Sequence, residues 1–277
     1  MRLFLATGLE CSLDLDQPIT LYLAHVFVNI TTTPPKQVLA ILPTLNEAKN
    51  LPILVPRILA HAGLRLLIVD DRSTDGTGAI AEHLAEQFPG RIQVIHRKGP
   101  RGLGLSYREA FPLAAATGAD VICQMDADLS HDPKFLPEMI AATEHYHVVI
   151  GSRYAAGAGL INWPGYRAWL SLGANAYVRS VTGLRAQDCT SGYRCWRRDA
   201  VERVHWSSVG AEGFAFLVET LCEANQAGCS IGEVPVVFVG RQHGSSKLTA
   251  RVFRESLIVP WRVLMRGYRG RPPSSIE

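Results

Sequence analysis

The sequence predicts an α/β sandwich around a mainly parallel central sheet. Three features point to it. Short unbroken apolar runs end at turns, helical stretches of about a dozen residues lie between them, and the two alternate regularly over residues 38–151. Unbroken apolar runs are strands buried on both faces. Strands separated by helices pair in parallel through right-handed crossovers.

The elements follow in order. Residues 38–42, VLAIL before Pro43, form the first strand, and a helix is expected over 47–61. Strand 65–70, helix 75–87, strand 91–96, helix 103–117 and strand 120–125 come next, then a helix from near Pro133 and a strand at 148–151. The second half is less regular. It reads as a glycine-containing loop over 155–165, a helix over 166–181, a helix over 214–226, a β-rich run over 230–239 and an amphipathic segment from Thr249. Residues 1–36 show no period and end in Thr-Thr-Thr-Pro-Pro-Lys, a loosely ordered leader by composition. The expected organisation is therefore leader 1–36, α/β domain 37–248 and basic C-terminal segment 249–277.

Composition narrows the function. The 277 residues are 47% hydrophobic and 19% charged, which excludes a disordered or fibrous chain. A net charge of +3 gives no case for nucleic-acid binding. The charge is uneven: residues 251–277 hold six arginines against Glu255 and Glu277, so the tail can meet an anionic membrane or be a solvated basic end. Six cysteines form no CxxC pair, and a chain of this size needs no disulfide staples, so reduced thiols in the cytoplasm are expected. The longest uncharged run, 17–35, is broken by His25, Asn29, threonines and prolines. It is a poor membrane span, and the N-terminus is a poor signal peptide.

The chemistry concentrates at strand ends, where α/β sheets bind ligands. The most specific element is Asp126-Ala127-Asp128-Leu129-Ser130, directly after the fourth strand. Two carboxylates one residue apart suit a hard divalent cation that neutralises a diphosphate; capping of the next helix is the plainer reading. The second element, Val69-Asp70-Asp71-Arg72-Ser73-Thr74-Asp75-Gly76-Thr77, offers a carboxylate for the N–H groups of a base, with Asp75 and Thr77 as turn and helix-start residues. The third is Pro43-Thr44-Leu45-Asn46-Glu47, where Glu47 serves nucleotide recognition or helix capping.

Further motifs follow in order: Gly102-Leu103-Gly104, Gly151-Ser152-Arg153-Tyr154, Trp163 with Arg167 and Ser171, the run 188–194 (DCTSGYR), Glu233-Val234-Pro235, and the run 241–247 (RQHGSSK). Together this set resembles family 2 glycosyltransferases of the Rossmann-like GT-A fold, and among them the dolichyl- and polyprenyl-phosphate mannosyltransferases. The resemblance runs over residues 38–248. It implies an inverting, metal-dependent transfer of mannose from GDP-mannose to a polyprenyl or dolichyl phosphate. It also implies a peripheral enzyme at the cytoplasmic membrane face, held there directly or by an anchoring partner protein.

By the same resemblance Pro43, Leu45, Glu47, Val69 and Asp71 surround the guanosine. Asp126, Ala127 and Asp128 meet ribose, diphosphate and Mg2+ or Mn2+, with Ser130 as a further metal ligand. Arg153, Arg241 and Lys247 hold the phosphates, and Arg153, Arg167 and Ser171 the acceptor phosphate. Asp126, Asp128 and Arg153 are the catalytic set. Leu45 stands where the family usually has an aromatic residue, and Ser130 where some members have Gln. A UDP-glucose:polyprenyl-phosphate glucosyltransferase and a catalytically silent nucleotide-sugar-binding protein are the competing readings.

Overall fold

The computed structural model describes residues 36–240 and 250–266. The expected α/β sandwich is present, built on seven strands in the spatial order β3-β2-β1-β4-β7-β5-β8. These are β1 (Val38–Thr44), β2 (Leu64–Asp70), β3 (Ile92–His96), β4 (Val121–Gln124), β5 (Val148–Ser152), β7 (Arg194–Arg197) and β8 (Ile231–Pro235). All neighbours pair in parallel except β7, which runs antiparallel to both β4 and β5. A small parallel pair, β6 (Gly159–Ile161) and β9 (Val237–Val239), forms a second sheet.

Every residue of β1 from Val38 to Leu42 is buried, as an apolar run between two helix layers must be. Alternate side chains enter opposite cores: Leu39 and Ile41 on one face, Val38, Ala40 and Leu42 on the other. Helices α1 (Leu51–Leu59), α2 (Thr77–Gln87) and α4 (Leu136–Ala142, after a 3-10 turn at Pro133–Phe135) cover the second face. The first is covered by α3 (Leu103–Ala116), α6 (Arg198–Arg203) and α7 (Ala215–Gln226), extended by α5 (Gly165–Thr182) and α8 (Ala250–Met265).

The helix expected from Glu47 begins at Leu51 instead. A tight turn comes first, with Asn46 at φ 59°. The loop after β2 pins that turn: Asn46 N–H donates to Ser73 Oγ, Glu47 N–H to Thr77 Oγ1 (2.8 Å) and Ala48 N–H to Asp75 Oδ2. Thr77 N–H and its hydroxyl also donate to Asp75 Oδ1, so Asp75 and Thr77 have the turn and helix-start role expected of them.

β7 was not expected as a strand, because its sequence Arg-Cys-Trp-Arg has no apolar period. Arg194 is fully buried there, its guanidinium donating to the carbonyls of Leu217 (2.7 Å) and Cys189 (2.8 Å). Burial pulls it down to about 10. The five described cysteines are all buried and none is in a disulfide.

The sheet order places β1 between β2 and β4, and the three strands point the same way. Their carboxyl ends, Thr44, Asp70 and Gln124, therefore lie along one edge. This is where the chain direction of the crossovers reverses and where ligands enter such sheets.

Candidate active site

A cavity of about 360 Å³ opens at that edge. Pro43, Thr44, Leu45 and Glu47 line it from the turn after β1, Asp71 from the end of β2, and Asp126, Ala127 and Asp128 from the end of β4. Three separate strand ends thus bring seven of the residues expected at the donor site onto one lining. Val69 is not among them: it is fully buried in the core below.

Asp71 is held from two sides. Its Oδ1 pairs with the Arg97 guanidinium, and its Oδ2 accepts from Gly102 N–H at 2.8 Å. Arg97, buried, also donates to both carboxylate oxygens of Glu109 (3.1 and 2.8 Å) and to Pro100 O (3.1 Å). A carboxylate anchored by a fork of this kind keeps one orientation while its remaining lone pairs accept further N–H groups.

Gly102 and Leu103, at the start of α3, close the next wall, with Gly104 behind them. Gly104 N–H donates to Glu212 O at 2.9 Å. A Cβ at Gly104 would stand 2.3 Å from Ala211 O and 3.0 Å from Phe216 Cβ, so close approach of two backbones requires glycine here. Gly104→Ala is expected to cost about 1–3 kcal/mol and to weaken the nucleotide binding that the resemblance implies, because Glu212, Gly213 and Phe214 line the cavity. Thermal unfolding with calorimetric GDP titration checks it; unchanged binding would sever this helix start from the pocket.

At the end of β4, Asp128 Oδ1 accepts from Ser130 N–H (3.1 Å) and from Ser130 Oγ (2.5 Å). Ser130 is buried and off the lining, so here it orients Asp128. Asp126 N–H donates to His131 Nδ1 (2.9 Å). Burial holds His131 below its usual range against the opposing pull of Asp126 and Asp128, which suits a neutral ring accepting at Nδ1. Tyr107 Oη donates to Met125 O and fixes the strand end.

The donor set fits a hard divalent cation. Two carboxylates face one cavity, and Mg2+ or Mn2+ takes one or two protein carboxylates and completes its shell with water and phosphate oxygens. Among the described residues no cluster of three or more His, Cys, Asp or Glu could hold a metal without such outside ligands.

Arg153 lies off the cavity lining, at the end of β5, in a bidentate pair with Asp188. Its Nε donates to Oδ2 and its Nη2 to Oδ1, both at 2.7 Å, and Nη2 also to Thr190 Oγ1. The guanidinium carbon lies 5.4–5.6 Å from the ring centres of Tyr154, Trp163 and Phe238. Arg167 and Ser171 stand one turn apart on α5. Arg167 is exposed, its Nε donating to Tyr166 Oη, while Asn175, a turn further, donates to Ser171 O (3.0 Å) and Thr190 Oγ1 (3.1 Å). Asn175 thus links the Ser171 backbone to Thr190 and, through it, to the Arg153–Asp188 pair. Arg241 and Lys247 lie outside the described residues.

Several lining residues escaped the sequence reading: Arg101, Ser106, Glu212, Gly213, Phe214 and Glu255. Only the glycine pair at 102 and 104 hinted at them, by marking a close backbone approach.

Comparison with known proteins agrees with this geometry. The family model described as Glycosyl transferase family 2 matches residues 39–204. The chain is 39% identical over 244 residues to the polyprenol monophosphomannose synthase of Mycolicibacterium smegmatis, covering 87% of this chain and 91% of that one. It is 36% identical over 223 residues to the undecaprenyl-phosphate mannosyltransferase of Micrococcus luteus, covering 80% and 91%. In fold it is similar to a mannosyltransferase from Pyrobaculum calidifontis solved with GDP-Man and Mn2+, with a TM-score of 0.58, 19% identity, and coverage of 87% of this chain and 67% of that one. The strand-end cavity with its paired aspartates and the match over more than half the chain lead to one conclusion: this chain belongs to glycosyl transferase family 2.

Proposed function

We propose that this enzyme transfers mannose from GDP-mannose to a polyprenyl or dolichyl phosphate, with inversion, giving a β-mannosyl phospholipid. The observation that carries the reading is a donor cavity assembled from three strand ends in a chain 39% identical to a polyprenol monophosphomannose synthase. Asp71, braced by Arg97 and Gly102, accepts from the base; Pro43, Leu45 and Glu47 form the wall beside it. Asp126 and Asp128 hold Mg2+ or Mn2+, with Ser130 keeping Asp128 in place. When bound, that cation neutralises the departing diphosphate.

The acceptor phosphate is an anion at neutral pH and needs no strong general base. The protein's task is to align it behind the anomeric carbon. Arg167 and Ser171 receive it, and Arg153 bridges toward the donor. Arg153 suits this because Asp188 fixes Nε and Nη2, while Nη1 makes no hydrogen bond among the described residues. Arg241 and Lys247 complete the phosphate contacts.

The enzyme works as a peripheral protein at the cytoplasmic membrane face, since its acceptor carries a lipid tail. Among the described residues no helix is long and apolar enough to cross a membrane.

A transfer assay with labelled GDP-mannose and UDP-glucose against polyprenyl and dolichyl phosphates tests the reading. Product is expected only from GDP-mannose, lost with EDTA and restored by Mg2+ or Mn2+. Preferential transfer from UDP-glucose would overturn the donor assignment, and donor binding without any transfer would leave a silent binding protein.

A further inference from the structure

The C-terminal helix α8 joins two features that the transfer reaction alone does not require to be joined. Inward, it builds the donor cavity. Glu255 lines the cavity, and its two carboxylate oxygens accept from Glu212 N–H and Gly213 N–H, both at 2.9 Å. Arg266, just past the helix, donates to Ser208 O (2.7 Å) and to the fully buried Glu219 (3.0 Å), which itself accepts from Gly210 and Ala211 N–H. The wall at 210–213 is therefore clamped from α7 and α8. From Glu212 the bonds continue through Gly104 to the start of α3, where Gly102 holds Asp71.

Outward, α8 exposes Leu257, Ile258, Trp261 and Met265, spaced along one face, with Met265 78% exposed. Helix α5 packs beside it, Tyr177 Oη donating to Leu257 O at 2.6 Å, and exposes Tyr166, Trp169 (77%), Leu170 and Leu172. Exposed apolar groups clustered on two neighbouring helices mark a contact surface. Charge selects what covers it. Helix α5 carries Arg167 and Arg179 and no acid, whereas α8 carries three arginines and a single acid, Glu255, whose carboxylate is turned to the cavity wall. Interfacial aromatic and aliphatic groups on two helices that carry more arginine than acid fit an anionic bilayer.

We propose that the exposed faces of α5 and α8 dock on an anionic lipid bilayer, and that Glu255, as a positioning residue, couples this docking to nucleotide binding in the donor cavity. Docking holds α8 in place, α8 holds Glu212 and Gly213, and that wall shapes the pocket. The inference rests on the donor-cavity reading, and it predicts a coupling that must be reciprocal. Vesicles tighten nucleotide binding by the same factor by which nucleotide tightens vesicle binding.

The test measures GDP affinity by calorimetry, in Mn2+, with and without phosphatidylglycerol vesicles, beside flotation with and without GDP. Wild type is expected to gain about fivefold or more in GDP affinity on vesicles, with an equal gain in flotation. Glu255→Gln, which leaves an amide N–H facing a backbone donor, should still float but lose the gain. Trp261→Ser with Met265→Ser should lose flotation and the gain together while keeping vesicle-free GDP affinity. Three results would each overturn the proposal: no flotation of wild type, flotation with no change in GDP affinity, or a full gain in Glu255→Gln. Equal flotation on phosphatidylcholine would overturn the anionic occupant. GDP binding in the absence of vesicles tests the donor reading separately; if UDP binds instead, the same comparison is run with UDP.

Discussion

Replacing Asp128 by alanine is expected to reduce mannosyl transfer by at least roughly 10²–10³-fold. The side chain is one of two carboxylates facing the cavity from the end of β4, and Ser130 holds it by its N–H and its hydroxyl. Alanine removes the oxygen that a divalent cation would take there, and the diphosphate loses its counter-charge at the moment it leaves. Asp126→Ala should be nearly as severe. Ser130→Ala should be milder, since it removes an orienting bond and leaves the carboxylate. Transfer rates at saturating GDP-mannose and Mn2+, with thermal unfolding as the folding control, decide the matter. If Asp128→Ala kept a tenth of the wild-type rate, the metal assignment at the end of β4 would be wrong.

Asp188→Ala should destabilise the fold by about 3–5 kcal/mol, the cost of leaving one member of a buried ion pair alone. Asp188 is completely buried, and Arg153 nearly so, with three donors of Arg153 on the one carboxylate. The released guanidinium would also lose the orientation that its proposed phosphate contact needs, so transfer should fall together with stability. A urea titration gives the first effect and transfer kinetics the second. Full stability in the variant would refute the pair as an anchor.

The same pair has a pH signature. Burial alone would raise the Asp188 carboxyl, but the hydrogen bonds and charge of Arg153, aided by Thr190, bring it below its ordinary value of 3.8. A depressed folded-state pKa contributes stability that is complete above the unfolded value and is lost as pH falls through the folded one. Asp188→Asn should therefore show a weaker loss of stability below about pH 4 than wild type, measured as urea midpoints across that range.

The strands of the first half and the DxD turn could be read from the chain because their causes are local. An apolar run such as 38–42 buries both faces whatever lies around it, and Asp75 and Thr77 shape a turn within their own few residues. The ordered motifs were sufficient for the family, and three of them, at 43–47, 69–77 and 126–130, sit at strand ends that periodicity alone locates. Tertiary structure decided what depends on partners far along the chain. Arg194 can occupy the middle of the sheet only because the carbonyls of Leu217 and Cys189 meet its guanidinium. No pattern around residue 194 announces those carbonyls. Arg97 braces Asp71 across 26 residues, and Glu255 reaches Glu212 and Gly213 across more than 40. A lone arginine or glutamate in sequence reads as a solvated charge. It becomes part of a site when folding withdraws it from water and leaves distant N–H groups or carboxylates as its compensation.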